Sequence, residues 1–60
     1  MAVTFRQISY ARETEQHYYP MWRVDFEVDG KRQYRDVQAQ NVIQAQQIMC
    51  AELGIPFRWH

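Results

Sequence analysis

The stretch that most constrains the fold is "MWRVDFEVDGKRQYRDV", Met21 to Val37. Trp22, Val24, Phe26 and Val28 fall on one parity, and Arg23, Asp25, Glu27 and Asp29 on the other. Successive side chains of a strand point to opposite faces, so this pattern predicts a half-buried β-strand with an apolar and a wet side. Asp29-Gly30 interrupts it. Both central residues of a type I′ turn need positive φ, and Asp-Gly is among the strongest signals for that two-residue hairpin loop. Pro20 lies just before the strand, where its missing N–H does little harm.

A two-residue loop sets Val28 opposite Lys31 and Trp22 opposite Val37, with Tyr34 on the outer face opposite Asp25. A three-residue loop with a glycine bulge would put Tyr34 on the core face beside Val24. Parity shifts between Tyr34 and Val37/Ala39, which suggests a bulge near Arg35-Asp36. Asp25 and Glu27 on one arm are expected across from Lys31, Arg32 and Arg35 on the other. Opposite charges in such cross-strand positions favour one pairing by about 0.2–1 kcal/mol each.

Upstream, "AVTFRQISYAR" changes parity between Val3/Phe5 and Ile8/Tyr10, as a strand does when a bulge near Arg6-Gln7 swaps its faces. "RETEQH" is wholly polar and reads as a loop. Downstream, Asn41 is a helix N-cap candidate, and Gln44 three positions on can complete a capping box. The helix should run to about Leu53. Gly54 stands where a left-handed terminator belongs, and Pro56 prevents continuation. Val42, Ala45, Met49 and Leu53 form its apolar stripe, with Ile43 and Cys50 on one flank and Ile48 beyond the other edge. The final "IPFRWH" suits a short strand or an ordered tail. The chain is therefore expected to be one α+β domain over residues 1–60: a three-stranded antiparallel sheet in β-β-β-α order, with or without a short fourth strand, one face covered by the helix.

Sixty residues bury only about 60% of the surface their unfolded chain exposes, so such domains often lean on a disulfide, a metal or a partner. Cys50 is the only cysteine, which excludes an internal disulfide. Structural zinc needs closely spaced Cys/His pairs, and only His17 and His60 accompany that cysteine. The nine aromatic residues compensate, since each can bury about 150–250 Å². Seven basic against seven acidic side chains give no net charge, so the global electrostatic drive for nucleic acid is absent. No signal peptide and no membrane-length apolar run is evident. The lone cysteine fits a reducing cytosol, and a cytoplasmic location is expected.

Little here points to catalysis. Asp25, Glu27 and Asp29 sit about 6.6 Å apart on a flat strand, whereas calcium draws its oxygens from a folded loop. A single sheet under one helix leaves little room for a pocket of about 300 Å³ or more. His17 and His60 read as solvated, and Cys50, with no His or Lys at helical spacing, as a small buried filler. No glycine-rich phosphate loop exists. A non-enzymatic protein with no cofactor and no metal is expected.

Two kinds of macromolecular partner then compete. Arg6, Arg12, Arg23, Lys31, Arg32 and Arg35 lie on the predicted sheet among Tyr10, Tyr18, Tyr19 and Tyr34, and a sheet can enter a major groove. Asp25, Glu27, Asp29 and Asp36 share that region and would repel phosphate. For a protein partner, Met21, Ile43, Ile48, Tyr18, Tyr19, Phe57 and Trp59 exceed what a small core can absorb, and aromatics, Met and Arg are interface residues. The expected partner surface is the outward face of the hairpin, with Arg23, Asp25, Glu27, Arg32, Tyr34 and Arg35, plus the terminal Phe57, Arg58 and Trp59. A homodimer is a third expectation. No membrane partner is expected.

The segment "MWRVDFEVDGKRQYRDVQAQNVIQAQQIMCAELGI" resembles, at the level of pattern, two small sheet-plus-helix modules. One is the arm-type DNA-binding domain of tyrosine recombinases. That resemblance implies DNA reading by the sheet, through residues in the places of Arg23, Lys31, Arg32, Tyr34 and Arg35. The other is the T7-type phage inhibitor of host RNA polymerase, which implies an accessory protein that occludes a host protein through charged surface residues. The acidic row Asp25/Glu27/Asp29 departs from a DNA-facing sheet, and the protein-binding reading is preferred.

Overall fold

A computed structural model describes residues 2–15 and 18–58. Three strands, β1 (Val3–Arg12), β2 (Met21–Val28) and β3 (Lys31–Gln38), form an antiparallel sheet in the order β1-β2-β3, and one helix, α1 (Val42–Leu53), packs on one face. The fold is the α+β arrangement expected. Residues 55–58 belong to no strand, so within the described residues the sheet has no fourth member.

Asp29 and Gly30 both adopt positive φ (51° and 81°), as a type I′ turn demands. The two-residue loop sets the register, with Val28 opposite Lys31, Asp25 opposite Tyr34 and Trp22 opposite Val37. That pairing runs unbroken through Arg35 and Asp36, so the bulge expected there is absent. The parity shift has a simpler origin: Tyr34 faces outward and Val37 inward, each on its own side of a regular strand. Bulges occur in β1 instead, one between Phe5 and Gln7 as expected and a second between Tyr10 and Arg12.

The inward row carries the core. Val24, Phe26, Val37 and Ala39 are buried against Ala45 and Met49 of the helix, with Trp22, Val28, Phe5 and Ile8 packed around them. Phe5 meets Phe26 at a ring distance of 6.2 Å, and Tyr10 stands edge-on to Trp22 at 5.9 Å. Trp22 Nε1 donates to the Ala39 carbonyl at 2.8 Å, which gives its one polar atom a partner beside the core. Cys50 of the helix is also buried, and burial pushes its thiol pKa up. Of the two flanking isoleucines, Ile48 packs on the core while Ile43 remains exposed.

Helix α1 has well-defined ends. Asn41 Oδ1 accepts from Gln44 N at 2.9 Å. The Gln44 side chain accepts from the backbone N–H of Gln40, one residue earlier than a capping box would have it. Gly54 (φ 71°) closes a Schellman turn: its N–H donates to Ala51 O, and that of Ile55 to Cys50 O at 3.0 Å.

Candidate functional site

With the helix on one side, the other face of the sheet is left to side chains of opposite parity. Arg23, Asp25 and Glu27 of β2 stand there beside Arg32, Tyr34 and Asp36 of β3, their register partners in crossed order. Arg6 and Arg12 reach over from β1. Ion pairs cover this face. Arg6 Nη1 donates to Glu27 at 2.6 Å. Arg32 clamps Asp25 through Nη2 at 2.8 Å and Nε at 3.3 Å. Asp36 accepts from Arg23 Nε at 3.0 Å and from Arg12 Nη1 at 3.2 Å. Since β1 and β3 are not neighbours, Asp36 ties all three strands together.

Four of these groups are shifted by their contacts: Arg23, Asp25, Arg32 and Asp36. The hydrogen bond from Arg32 holds the Asp25 carboxyl below its ordinary pKa, against an opposing push from desolvation. Asp36 is held low mainly by its bond from Arg23, again against desolvation, with Arg12 adding to it. Arg23 and Arg32 are correspondingly raised by the same bonds. Asp25 is only 9% exposed although it lies on the wet face, because the side chains around it cover it.

Tyr34 lies in the middle of this charged field and is 60% exposed. The Arg32 guanidinium sits 5.6 Å from its ring centre, within cation–π range. Arg23, Tyr34, Arg35 and Asp36 line an open depression of about 490 Å³ beside β3. It is larger than the space expected over a single sheet under one helix, and it is an open surface feature. Tyr18 and Tyr19 are exposed at the far end, where Gln38 Nε2 donates to the Tyr19 carbonyl at 3.1 Å.

The expected site residues separate into two groups. Arg23, Asp25, Glu27, Arg32 and Tyr34 share the outer face. Arg35 does not: it pairs with Val24, so alternation turns it to the helix side, where Nη1 donates to Glu52 at 2.7 Å. Lys31, opposite Val28, has the same parity. The expectation that Lys31 and Arg35 face the acidic row is thereby corrected, because β3 alternates from the turn onward and only Arg32 of the three falls outward. Phe57 is half-buried, and the Arg58 carbonyl accepts from Gln46 Nε2 at 2.9 Å, which holds the tail beside the helix. Trp59, His17 and His60 lie outside the described residues.

Asp25, Glu27 and Asp29 have separate partners, Arg32, Arg6 and the backbone N–H of Ala2, the last donating to Asp29 Oδ1 at 2.8 Å. Asp36, Arg6 and Arg12, weighed above only for and against phosphate, are absent from the expected partner surface, yet the ion pairs place all three on the outer face. Asp36 was within reach: the two-residue register alone sets it opposite Arg23. No helix among the described residues is long and apolar enough to cross a membrane. Comparison with protein-family models, curated proteins and solved structures finds no match to this chain.

Proposed function

We propose that this is a non-catalytic protein-binding module, an accessory or inhibitor protein that occludes a protein partner with the outer face of its sheet, in the cytoplasm. The observation that carries the reading is Tyr34, a large aromatic held exposed at the centre of a face whose charges are already paired. A rigid ring beside an arginine is the composition of interface hot spots, and it loses little conformational freedom on docking. The paired guanidiniums weigh against DNA. Each one moved to a phosphate would have to leave a carboxylate, and Asp25, Glu27 and Asp36 would remain facing the backbone.

The test is retention of protein by the immobilised chain from lysate of its native host, alongside titration of random duplex DNA over a salt series. The protein reading expects a specifically retained protein and weak duplex binding even at low salt. Tight duplex binding that falls steeply with the logarithm of salt would replace it by the DNA-binding reading.

A further inference from the structure

The two edges of the sheet differ. β1 is interrupted twice, between Phe5 and Gln7 and between Tyr10 and Arg12, and such bulges spoil an edge as a template. β3 is unbroken along its whole length. Its turn is closed by the Val28/Lys31 pair, and in an antiparallel ladder bonded pairs alternate with unbonded ones. Gln33, Arg35 and Val37 therefore bond to β2. The phase continues past the strand, where Ala39 N donates to Pro20 O at 3.1 Å. Arg32, Tyr34 and Asp36 turn their N–H and C=O groups to the free edge, with their side chains on the outer face.

We propose that two copies of the chain join antiparallel through β3, centred on Tyr34, to make one continuous six-stranded sheet. Charge selects this occupant and this register. Centring on Tyr34 sets Arg32 opposite the partner's Asp36, twice by symmetry, Arg35 opposite the partner's Gln33, and Lys31 opposite the partner's Val37. Every neighbouring register opposes like charges. Centring on Gln33 sets Lys31 against the partner's Arg35, and centring on Arg35, Arg32 or Asp36 sets each of these against its own copy. Like charges directly opposite destabilise strand pairing, and opposite ones stabilise it. Arg32 keeps Nη1 uncommitted among the bonds of the described residues, since Nε and Nη2 serve Asp25. The dimer puts both outer faces on one side, and it does not depend on what those faces bind.

Sedimentation velocity over rising concentration tests this with the full chain, beside Tyr34→Pro. The Tyr34 N–H points away from β2, so proline there removes an edge donor without breaking the β2–β3 ladder. The expected result is a concentration-dependent dimer for the wild type and a monomer with unchanged circular dichroism for the variant. Separately, Tyr34→Cys, Gln33→Cys and Arg35→Cys are oxidised mildly, with the wild type and its buried Cys50 as control. Only residue 34 meets its own copy within disulfide reach, so Tyr34→Cys should cross-link fastest. A wild type that stays monomeric, a dimer that survives Tyr34→Pro, or faster cross-linking at 33 or 35 would overturn the proposal. If the proline variant does not fold, the cross-linking order decides.

Discussion

Arg32 crosses the β2–β3 ladder diagonally to hold Asp25, with Nη2 2.8 Å from Oδ2 and Nε 3.3 Å from Oδ1. Its direct register partner is Glu27, which Arg6 takes instead from the other side. The outer face is thus a woven set of ion pairs in which β2 supplies acids to both neighbours.

Removing Arg32 should leave a nearly buried carboxylate without its donor, which is costlier than losing an exposed charge. Arg32→Ala is expected to lower the urea midpoint at neutral pH. The two proteins should converge once Asp25 is protonated, because the lost bond was to the charged form. Equal midpoints at neutral pH would show that the pair contributes nothing.

Acid should destabilise the domain in a defined window. Asp25 and Asp36 have native pKa values below those of the unfolded chain, so the unfolded state binds protons first. Their contribution is complete above the ordinary carboxylate range, near pH 4, and is lost as pH falls through the lower native values. Denaturant midpoints against pH should fall there, and less so in Asp25→Asn. A wild-type profile that is flat below pH 4 would contradict the assignment.

The core and the helix ends should respond unequally. Met49, fully buried, should cost about 2–5 kcal/mol on truncation to Ala, while exposed Ile43→Ala should stay within about 0.5 kcal/mol. Asn41→Ala should cost about 1 kcal/mol through loss of the Gln44 N–H acceptor. Gly54→Ala meets no atom but must adopt φ 71°, so it should also cost about 1 kcal/mol. Chemical denaturation of the four variants measures all of these.

Much of this fold was legible because local chemistry was decisive. Asp29-Gly30 allowed the two-residue turn, and that turn set the register of the whole hairpin, including Tyr34. Asn41 and Gly54 bounded the helix at the residues observed. The bulge near Arg35 was read from a parity change, but alternation cannot distinguish a bulge from an outward tyrosine followed by an inward valine. The same alternation turns Arg35 to Glu52, which lies on the helix and not in the local pattern. Diagonal reach was also invisible: period-two reasoning finds directly opposed pairs, and neither Arg32–Asp25 nor Arg12–Asp36 is one.

The division of the arginines between the two faces separates their roles. Arg32→Ala should slow association with a partner captured by the outer face, since interface charges act mainly on encounter. Arg35→Ala should alter stability and leave association nearly unchanged. Stopped-flow association rates at low salt distinguish the two, and equal slowing by both would place the contact at the strand edge as a whole.

Tyr34, 60% exposed, is the proposed centre of the recognition face. The direct measurement is the dissociation constant of the host protein retained by the chain, for wild type and for Tyr34→Ala matched in circular dichroism. We expect the constant to rise at least about tenfold, a loss of about 1.4 kcal/mol. An unchanged constant would mean that the partner meets some other surface, and the outer face would revert to a solvated lattice of ion pairs.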